Sequence, residues 1–319
     1  MSKPFASSTD LAEKTETLEI VADGVYALTA EGDPNVGAIE GEDFIVAIEA
    51  RATPAAARDW LVKLREHTQK PVRYLILTHY HAVRVLGASA FDAQDIIMSD
   101  ATAALVEERG EQDWASEFGR MPRLFKQPDE IPGLTRPTIT FADHHEIELG
   151  GDRGKLELQF CGRGHTEGDI AVWHEKSGTL FAGDLVEAQA ALYTGDAFHF
   201  DWASATLDRV KAFGAQHLIG GRGAVAHGTE AVNAAVEQTR EFLNGMIENV
   251  GAAHKNGGTL KEAFEATHTA LGPKFGHWPI FEHCLPFNVQ RLWDEFDGIE
   301  RPRIWTMERD REVWAQLQG

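Results

Sequence analysis

Leu75-Ile76-Leu77-Thr78-His79-Tyr80-His81 is an apolar strand that runs straight into two histidines. The stretch Val72–Leu77 is apolar apart from Arg73 and reads as a buried strand. Alternate residues of extended chain point the same way, so His79 and His81 can reach one ion together. Loops at strand ends on a rigid sheet are where proteins present ligands. Taken alone, the H-x-H pair also reads as ordinary polar loop.

Three further strand exits carry polar groups. Gly162-Arg163-Gly164-His165-Thr166-Glu167-Gly168-Asp169 follows the strand Lys155–Phe160, and its flanking glycines make a tight turn with a projecting imidazole. Leu180-Phe181-Ala182-Gly183-Asp184 places a carboxylate past the end of another apolar strand. Leu218-Ile219-Gly220-Gly221-Arg222-Gly223 is a fourth, glycine-rich exit. Four such exits in one chain of strands and helices point to a single shared rim.

Around these exits, Leu18–Val21 and Val25–Leu28 flank the hairpin signal Asp23-Gly24, and Val36–Ile39 and Phe44–Ile48 follow as strands. Thr53-Pro54 reads as an N-cap with proline at the first helical position, opening an amphipathic helix over Pro54–His67. A short strand, Ile96–Met98, precedes a helix from Asp100 to Glu108. Gly110–Pro137 shows no clear periodicity and is expected to be a lid or substrate loop. Strands return at Thr138–Phe141, Glu146–Leu149, Lys155–Phe160, Ile170–Trp173 and Leu180–Phe181, and a helix over Leu207–Phe213 feeds the strand His217–Ile219. Beyond Gly228 the chain becomes helical, with Thr229 as cap of a helix to His254 and two more over Thr259–Leu271 and Val289–Phe296. The expected organisation is a loose segment 1–17, an α/β unit 18–228 of two helix-covered sheets, and a helical segment 229–319.

Composition narrows the function classes. The chain has 319 residues, 43% of them apolar and 25% charged, which is enough to build a normal core. Fifty acidic against thirty basic residues leave a net charge of −20, which disfavours nucleic acid and anionic membranes as partners. No apolar run approaches the ~20 residues of a membrane span, and Met1–Leu18 shows no apolar signal region. Cys161 and Cys284 are neither a disulfide scaffold nor a zinc knuckle, and a cytoplasmic location is expected.

Together the four exits resemble the metallo-β-lactamase superfamily over Leu18–Gly228. That family carries an acidic residue after an early strand, then H-x-H-x-D-H, G-H-T, G-D and G-H-G in this order. Glu49 stands at the early acidic position; His79, His81, His165 and Asp184 match the next ones. The resemblance implies a four-layer αββα sandwich, here with a helical C-terminal extension. It also implies one zinc ion on His79, His81 and His165, with Asp184 as fourth ligand or as general base.

The departures concern the second metal. Val83 and Arg84 replace the Asp and His of the block, and Arg222 replaces the last histidine. Valine has no lone pair to give, and a guanidinium is always charged and never an acceptor. Two guanidiniums therefore stand where a second dication would sit, and are expected to pair with Asp184 or to clamp an anionic substrate group. The implied function is hydrolysis of an ester, lactone, amide or activated carbon–leaving-group bond in a small molecule, by hydroxide generated on the ion. Two rivals remain: a mononuclear iron oxygenase using His79 or His81, His165 and Asp184, and a non-catalytic binding protein with a vestigial site.

Other residues carry weaker signals. His199 is expected to line the pocket and Tyr80 to donate a proton near the metal. His227 is placed as a locally packed residue, His144 and His145 as surface residues, and Cys161 as core. The aromatic run His277–Phe287, with His283 and Cys284, reads as a buried cap or a contact between two copies, so a homodimer is expected.

Overall fold

In the computed structural model, which describes residues 4–318, thirteen strands form two sheets. The first runs β1 (Glu16–Ala22), β2 (Val25–Ala30), β3 (Val36–Glu40), β4 (Ile45–Ile48), β5 (Val72–Ile76), β6 (Asp95–Ser99) and β7 (Ile139–Phe141) in spatial order. Its first four strands pair antiparallel and β4 to β7 pair parallel. The second sheet contains β8 (His144–Glu148), β9 (Lys155–Phe160), β10 (Ile170–His174), β11 (Thr179–Gly183), β12 (His217–Gly220) and β13 (Ala226–His227), in the order β13-β12-β11-β10-β9-β8.

Helices cover both outer faces. On the first sheet lie α1 (Pro54–Leu64), the short α2 (Ala82–Val85) and α3 (Asp100–Arg120). On the second lie α4 (His199–Asp201), which runs through a π-helical turn into α5 (Leu207–Ala212), then α6 (Thr229–Lys255), α7 (Leu260–Phe275), α8 (Phe281–Phe296) and α9 (Met307–Gln318). Three apolar layers hold the stack, as four layers require. Ile39, Val46 and Ile76 meet Leu158, Val172 and Phe181 between the sheets. Trp60, Leu64 and Leu105 pack on Leu75 outside the first sheet, and Phe242, Leu285 and Leu292 pack on Leu180 and Leu218 outside the second. Neighbouring Leu75 and Ile76 fall into different layers because strand side chains alternate.

The αββα sandwich matches the expectation, and so do the β1–β2 hairpin and the Thr53 cap, whose hydroxyl accepts from the Ala56 amide at 3.1 Å. Several boundaries differ. Gly110–Pro137 is no lid loop: α3 continues to Arg120, and two short 3-10 turns, Pro122–Leu124 and Pro128–Glu130, follow. The buried face of α3 has helical spacing but is polar beyond Val106, with Arg109, Asp113, Ser116, Glu117 and Arg120, so apolar periodicity does not reveal it. Helix α8 starts at Phe281 and passes through Pro286, and α9 has no counterpart in the sequence reading. Gly228, at positive φ, occupies the N-cap of α6 in place of Thr229. Helices α6 to α9 share one apolar cluster with the second sheet. The N-terminal segment expected to be loose holds a 3-10 turn at Ala6–Thr9, and the Phe5 ring lies 5.3 Å from that of Trp314. Residues 1–3 of it lie outside the described part.

Candidate metal centre

Chain direction builds the rim. Parallel β4 and β5 leave the first sheet at the same edge. In the second sheet β10 is antiparallel to both β9 and β11, and β11 is parallel to β12, so β9, β11 and β12 also exit together. Glu49 follows β4, His79 and His81 follow β5, His165 follows β9, Asp184 follows β11 and Arg222 follows β12. The backbones approach closely here. A Cβ on Gly221 would collide with the Asp184 carboxylate, and one on Gly183, at φ +53°, with the Thr78 hydroxyl.

His79, His81, His165 and Asp184 are all buried, and one donor atom from each lies within 4.8 Å of the others. The outward nitrogen of each imidazole is pinned. His165 Nδ1 donates to the Tyr193 carbonyl at 2.8 Å. His81 Nε2 donates to Asp196 Oδ2 at 3.2 Å. His79 Nδ1 donates to Thr78 Oγ1 at 3.0 Å, and that hydroxyl donates onward to Glu49. These bonds fix the tautomers, so the lone pairs of His79 Nε2, His81 Nδ1 and His165 Nε2 face one point.

That convergence fits a metal ion. His81 Nδ1 and His165 Nε2 are 3.0 Å apart, a contact of two lone pairs that needs a cation or a proton between them. His79 Nε2 is buried without a hydrogen-bond partner among the described residues. Asp184 Oδ2 is 3.6 Å from both His79 Nε2 and His165 Nε2. Tetrahedral ligands held ~2.0–2.1 Å from zinc stand ~3.3 Å apart, within the span of these separations. The three ring planes lie nearly perpendicular to one another, at 83° to 88°.

The electrostatics keep His79 and His165 in ligand form. Burial pushes His79 well below the usual histidine range and His165 down to about 3. Burial opposes charge on His81 too, but Asp113 and Asp196 outweigh it and raise His81 to about 9. The proton so favoured in the metal-free protein is the one an ion would displace. Burial alone would raise Asp184, yet the Arg84 guanidinium, His79 and Arg222 hold it far below the carboxylate range.

The neighbouring half of the site is filled by protein. Arg84, fully buried, donates from Nη2 to Asp184 Oδ1 and to the Gly221 carbonyl at 2.8 Å, and from Nη1 to the Asn35 carbonyl at 3.1 Å. Arg222 Nη1 donates to Glu187 Oε1 at 2.7 Å and Asp184 Oδ2 at 3.2 Å. Burial pushes Glu49 and Glu187 each up to about 7. Of the two expected roles of the arginines, the geometry offers pairing with Asp184. The substrate clamp is not what it offers for Arg84, whose terminal nitrogens are spent inside the protein. The role of Asp184 as general base also falls, because a carboxylate held ionised by two guanidiniums is a very weak base.

Two further candidates move away from the metal point. Tyr80 is buried against the His81 ring, centroids 4.6 Å apart, and its hydroxyl is directed to Asp196, behind the ligands. His199 has both ring nitrogens engaged, with Glu295 at 2.7 Å and Thr194 at 2.8 Å, and so ties the loop before α4 to α8. His227 pairs with Glu19 and with His217 on the surface. Residues behind the ligands escaped the sequence reading. Asp196 orients His81, Asp113 accepts from the Ala82 amide at 2.6 Å, and Arg109 Nη1 reaches Asp196 at 3.3 Å. Asp196 lies next to Gly195 in the loop beyond the G-D aspartate, its only visible signal.

Fold and site together define an αββα protein with a buried three-histidine, one-aspartate cluster at the shared edge of its sheets. The sequence profile of the metallo-beta-lactamase superfamily matches residues 30–218. The chain belongs to that superfamily. It is 27% identical over 199 residues, 60% of its length, to the 2,4-dinitroanisole O-demethylase subunit alpha of Nocardioides sp. (strain JS1661). It is 23% identical over 133 residues, 40% of its length, to a type 2 metallo-beta-lactamase of Elizabethkingia meningoseptica. The chain spans about half the length of these curated relatives, 52% and 53%. Among solved structures, a metallo-beta-lactamase from Pontibacter korlensis superposes with a TM-score of 0.56 at 19% identity, over 72% of this chain and 99% of that one. The stereoselective inverting sec-alkylsulfatase from Pseudomonas sp. gives 0.65 at 14%, over 89% and 50%. Both likenesses are of fold. No helix among the described residues is long and apolar enough to cross a membrane.

Proposed function

We propose that this protein is a metal-dependent hydrolase that holds one zinc ion per chain on His79, His81 and His165, with Asp184 as fourth ligand. Its substrate is a small molecule carrying an activated bond: an ester, lactone, amide or carbon–leaving-group bond. The observation that carries the reading is the set of three inward lone pairs, each fixed by a bond at the opposite nitrogen, with one of the three left orphaned inside the fold. A vestigial site would have no reason to keep that cost. The name of the similar O-demethylase subunit favours the leaving-group member of the class, since a dinitrophenyl oxygen is an activated leaving group.

Bound there, the ion would supply Lewis acidity and bring a coordinated water to a pKa of ~7. The chain's own residues do the rest. Thr78, Asp196 and the Tyr193 carbonyl aim the imidazoles. Arg84 and Arg222 keep Asp184 ionised and in place, as a ligand that also orients water. Burial of the whole cluster excludes bulk solvent.

Metal analysis of the purified protein tests the reading. About one zinc per chain is expected, with hydrolysis of chromogenic nitrophenyl esters or 2,4-dinitroanisole lost on chelation and restored by zinc. A His165→Ala protein that keeps both metal and activity overturns it. The equal 3.6 Å reach of Asp184 to His79 and His165 also outlines a two-histidine, one-carboxylate face for iron. Oxygen uptake after anaerobic iron loading, without hydrolysis, would favour that second reading.

A further inference from the structure

The loop that orients two of the three histidines is buried and irregular. From Ala190 to Phe198 the chain forms neither helix nor strand, and every residue of it is buried. Backbone groups so placed cannot turn to water and need partners inside the protein. Five of them find one in the helical C-terminal segment. The Ala191 amide donates to the Pro279 carbonyl at 3.1 Å, in the corner before α8. Asn288 Nδ2, on α8, donates to the Leu192 carbonyl at 2.8 Å, and the Thr194 amide donates to Asn288 Oδ1 at 2.6 Å. Trp305 Nε1 donates to the Gly195 carbonyl at 2.9 Å, and Arg291 Nε to the Ala197 carbonyl at 2.8 Å.

Two of these partners act on peptides that lead directly to the ligands. The peptide between Tyr193 and Thr194 is trans, so its N–H and its carbonyl point in opposite directions from one rigid plane. The N–H goes to Asn288, and the carbonyl accepts from His165 Nδ1 at 2.8 Å. Asn288 thus holds one end of a plate whose other end aims a ligand. The Gly195 carbonyl held by Trp305 belongs to the peptide that enters Asp196, and the Asp196 carboxylate accepts from His81 Nε2. The fit here is close, since a side chain on Gly195 would run into the Tyr193 hydroxyl and the Trp305 indole nitrogen. Asn288 is fully buried, with its amide oxygen and nitrogen both engaged by this loop.

We infer that the C-terminal helical segment is part of the metal centre, with Asn288 and Trp305 as positioning residues that aim His165 and His81 through the loop 191–197. Apolar packing of the segment on the second sheet fills volume but gives no direction to a carbonyl; these hydrogen bonds do. Partners behind a ligand set metal affinity because they fix the tautomer and the angle of its ring. The inference rests on the reading of the histidine cluster as a metal site and is independent of the reaction run there.

The test uses the full chain, with zinc affinity measured against a chromogenic chelator and the visible spectrum of cobalt-substituted protein. Asn288→Leu keeps a similar volume and removes both bonds. It is expected to weaken zinc about tenfold or more and to shift the cobalt d–d bands. Trp305→Phe keeps an aromatic ring and loses only the donor to Gly195. A smaller weakening in the same direction is expected, and this variant decides the matter if Asn288→Leu does not fold. Leu243→Ala, an apolar change in α6 within the same core cluster, is the control. It should lower stability and leave affinity and spectrum as in the parent. Folded Asn288→Leu or Trp305→Phe protein that binds zinc like the parent, with an unshifted cobalt spectrum, overturns the inference. Equal weakening by Leu243→Ala does so too. Weakened zinc binding in the two variants, beside a zinc-loaded parent that hydrolyses no activated substrate, defeats the hydrolase reading alone. A parent protein that takes up neither metal defeats both.

Discussion

The two halves of the rim are equally buried and carry the same sign of demand, yet they are finished differently. Around Arg84 and Arg222 the protein supplies its own cations and neutralises them with Asp184 and Glu187. Around His79, His81 and His165 it supplies lone pairs and leaves them facing one another. The two guanidiniums supply positive charge to their half, but they offer no lone pair to an ion. The first half is complete as protein; the second needs a proton or an ion between its facing nitrogens. Asp184 is the joint between them, held by arginines on one side and offered to the histidines on the other.

The largest expected effect breaks the self-sufficient half. Arg84→Met removes the donor to Asp184 and to the Asn35 and Gly221 carbonyls, and leaves the buried Asp184 carboxylate with Arg222 as its one remaining guanidinium partner among the described residues. Breaking a buried pair on one side costs about 3–5 kcal/mol. Denaturant unfolding of the chelated protein should show that loss. An unchanged midpoint would mean that water, not Arg84, solvates Asp184.

The next effect loosens the metal half without touching a ligand. Asp196→Asn keeps a hydrogen-bonding group opposite His81 Nε2 but removes its charge. Loss of such a partner lowers metal affinity about 10–100-fold. Competition with a chromogenic chelator measures it, and an unaltered affinity would reduce Asp196 to a packing residue.

That contrast also explains what was legible in the chain. His79, His81, His165 and Asp184 stand at strand ends in short, glycine-marked motifs, so both the fold and the cluster can be read from local pattern. Asp196, Asp113 and Arg120 sit on a long loop and on the polar buried face of α3, where hydrophobic spacing carries no signal. Their partners lie 73 to 115 positions away for Arg120 with Tyr193 and for Asp196 with His81, and only the folded chain reveals such pairs. Arg84 and Arg222 were visible as departures from a pattern, but the direction of their donors was not.

A smaller effect uses pH to separate the halves. Burial holds the Glu49 carboxyl up to about 7, above its usual 4.5. A carboxyl raised on folding stabilises the protein fully below its unfolded value and loses that contribution as pH rises through the folded one. Stability of chelated protein should therefore decline between pH 5 and pH 8, and the decline should be smaller by on the order of 1 kcal/mol in Glu49→Gln. Taking the difference between the two proteins cancels the similar decline from His81. Asp184 behaves oppositely: its contribution is present above the ordinary carboxylate range and is lost only as pH falls below it. A parallel pH profile for the two proteins would show that Glu49 is already ionised in the fold.

The smallest effect sharpens the membership of the metal half. Cys161 stands four residues before His165 and is a plausible ligand by sequence distance alone. In the fold it is fully buried, its thiol leans toward the Gln159 carbonyl at 3.6 Å, and burial pushes the thiol up to about 12. A thiol so disfavoured as thiolate is a poor ligand. Cys161→Ala should leave zinc stoichiometry unchanged and cost only about 1 kcal/mol, the scale of removing one small buried group. Cobalt-substituted parent protein should likewise lack a thiolate-to-metal charge-transfer band. If the band is present and vanishes in Cys161→Ala, sulfur joins the ligand set, and the division between a histidine half and an arginine half has to be redrawn around it.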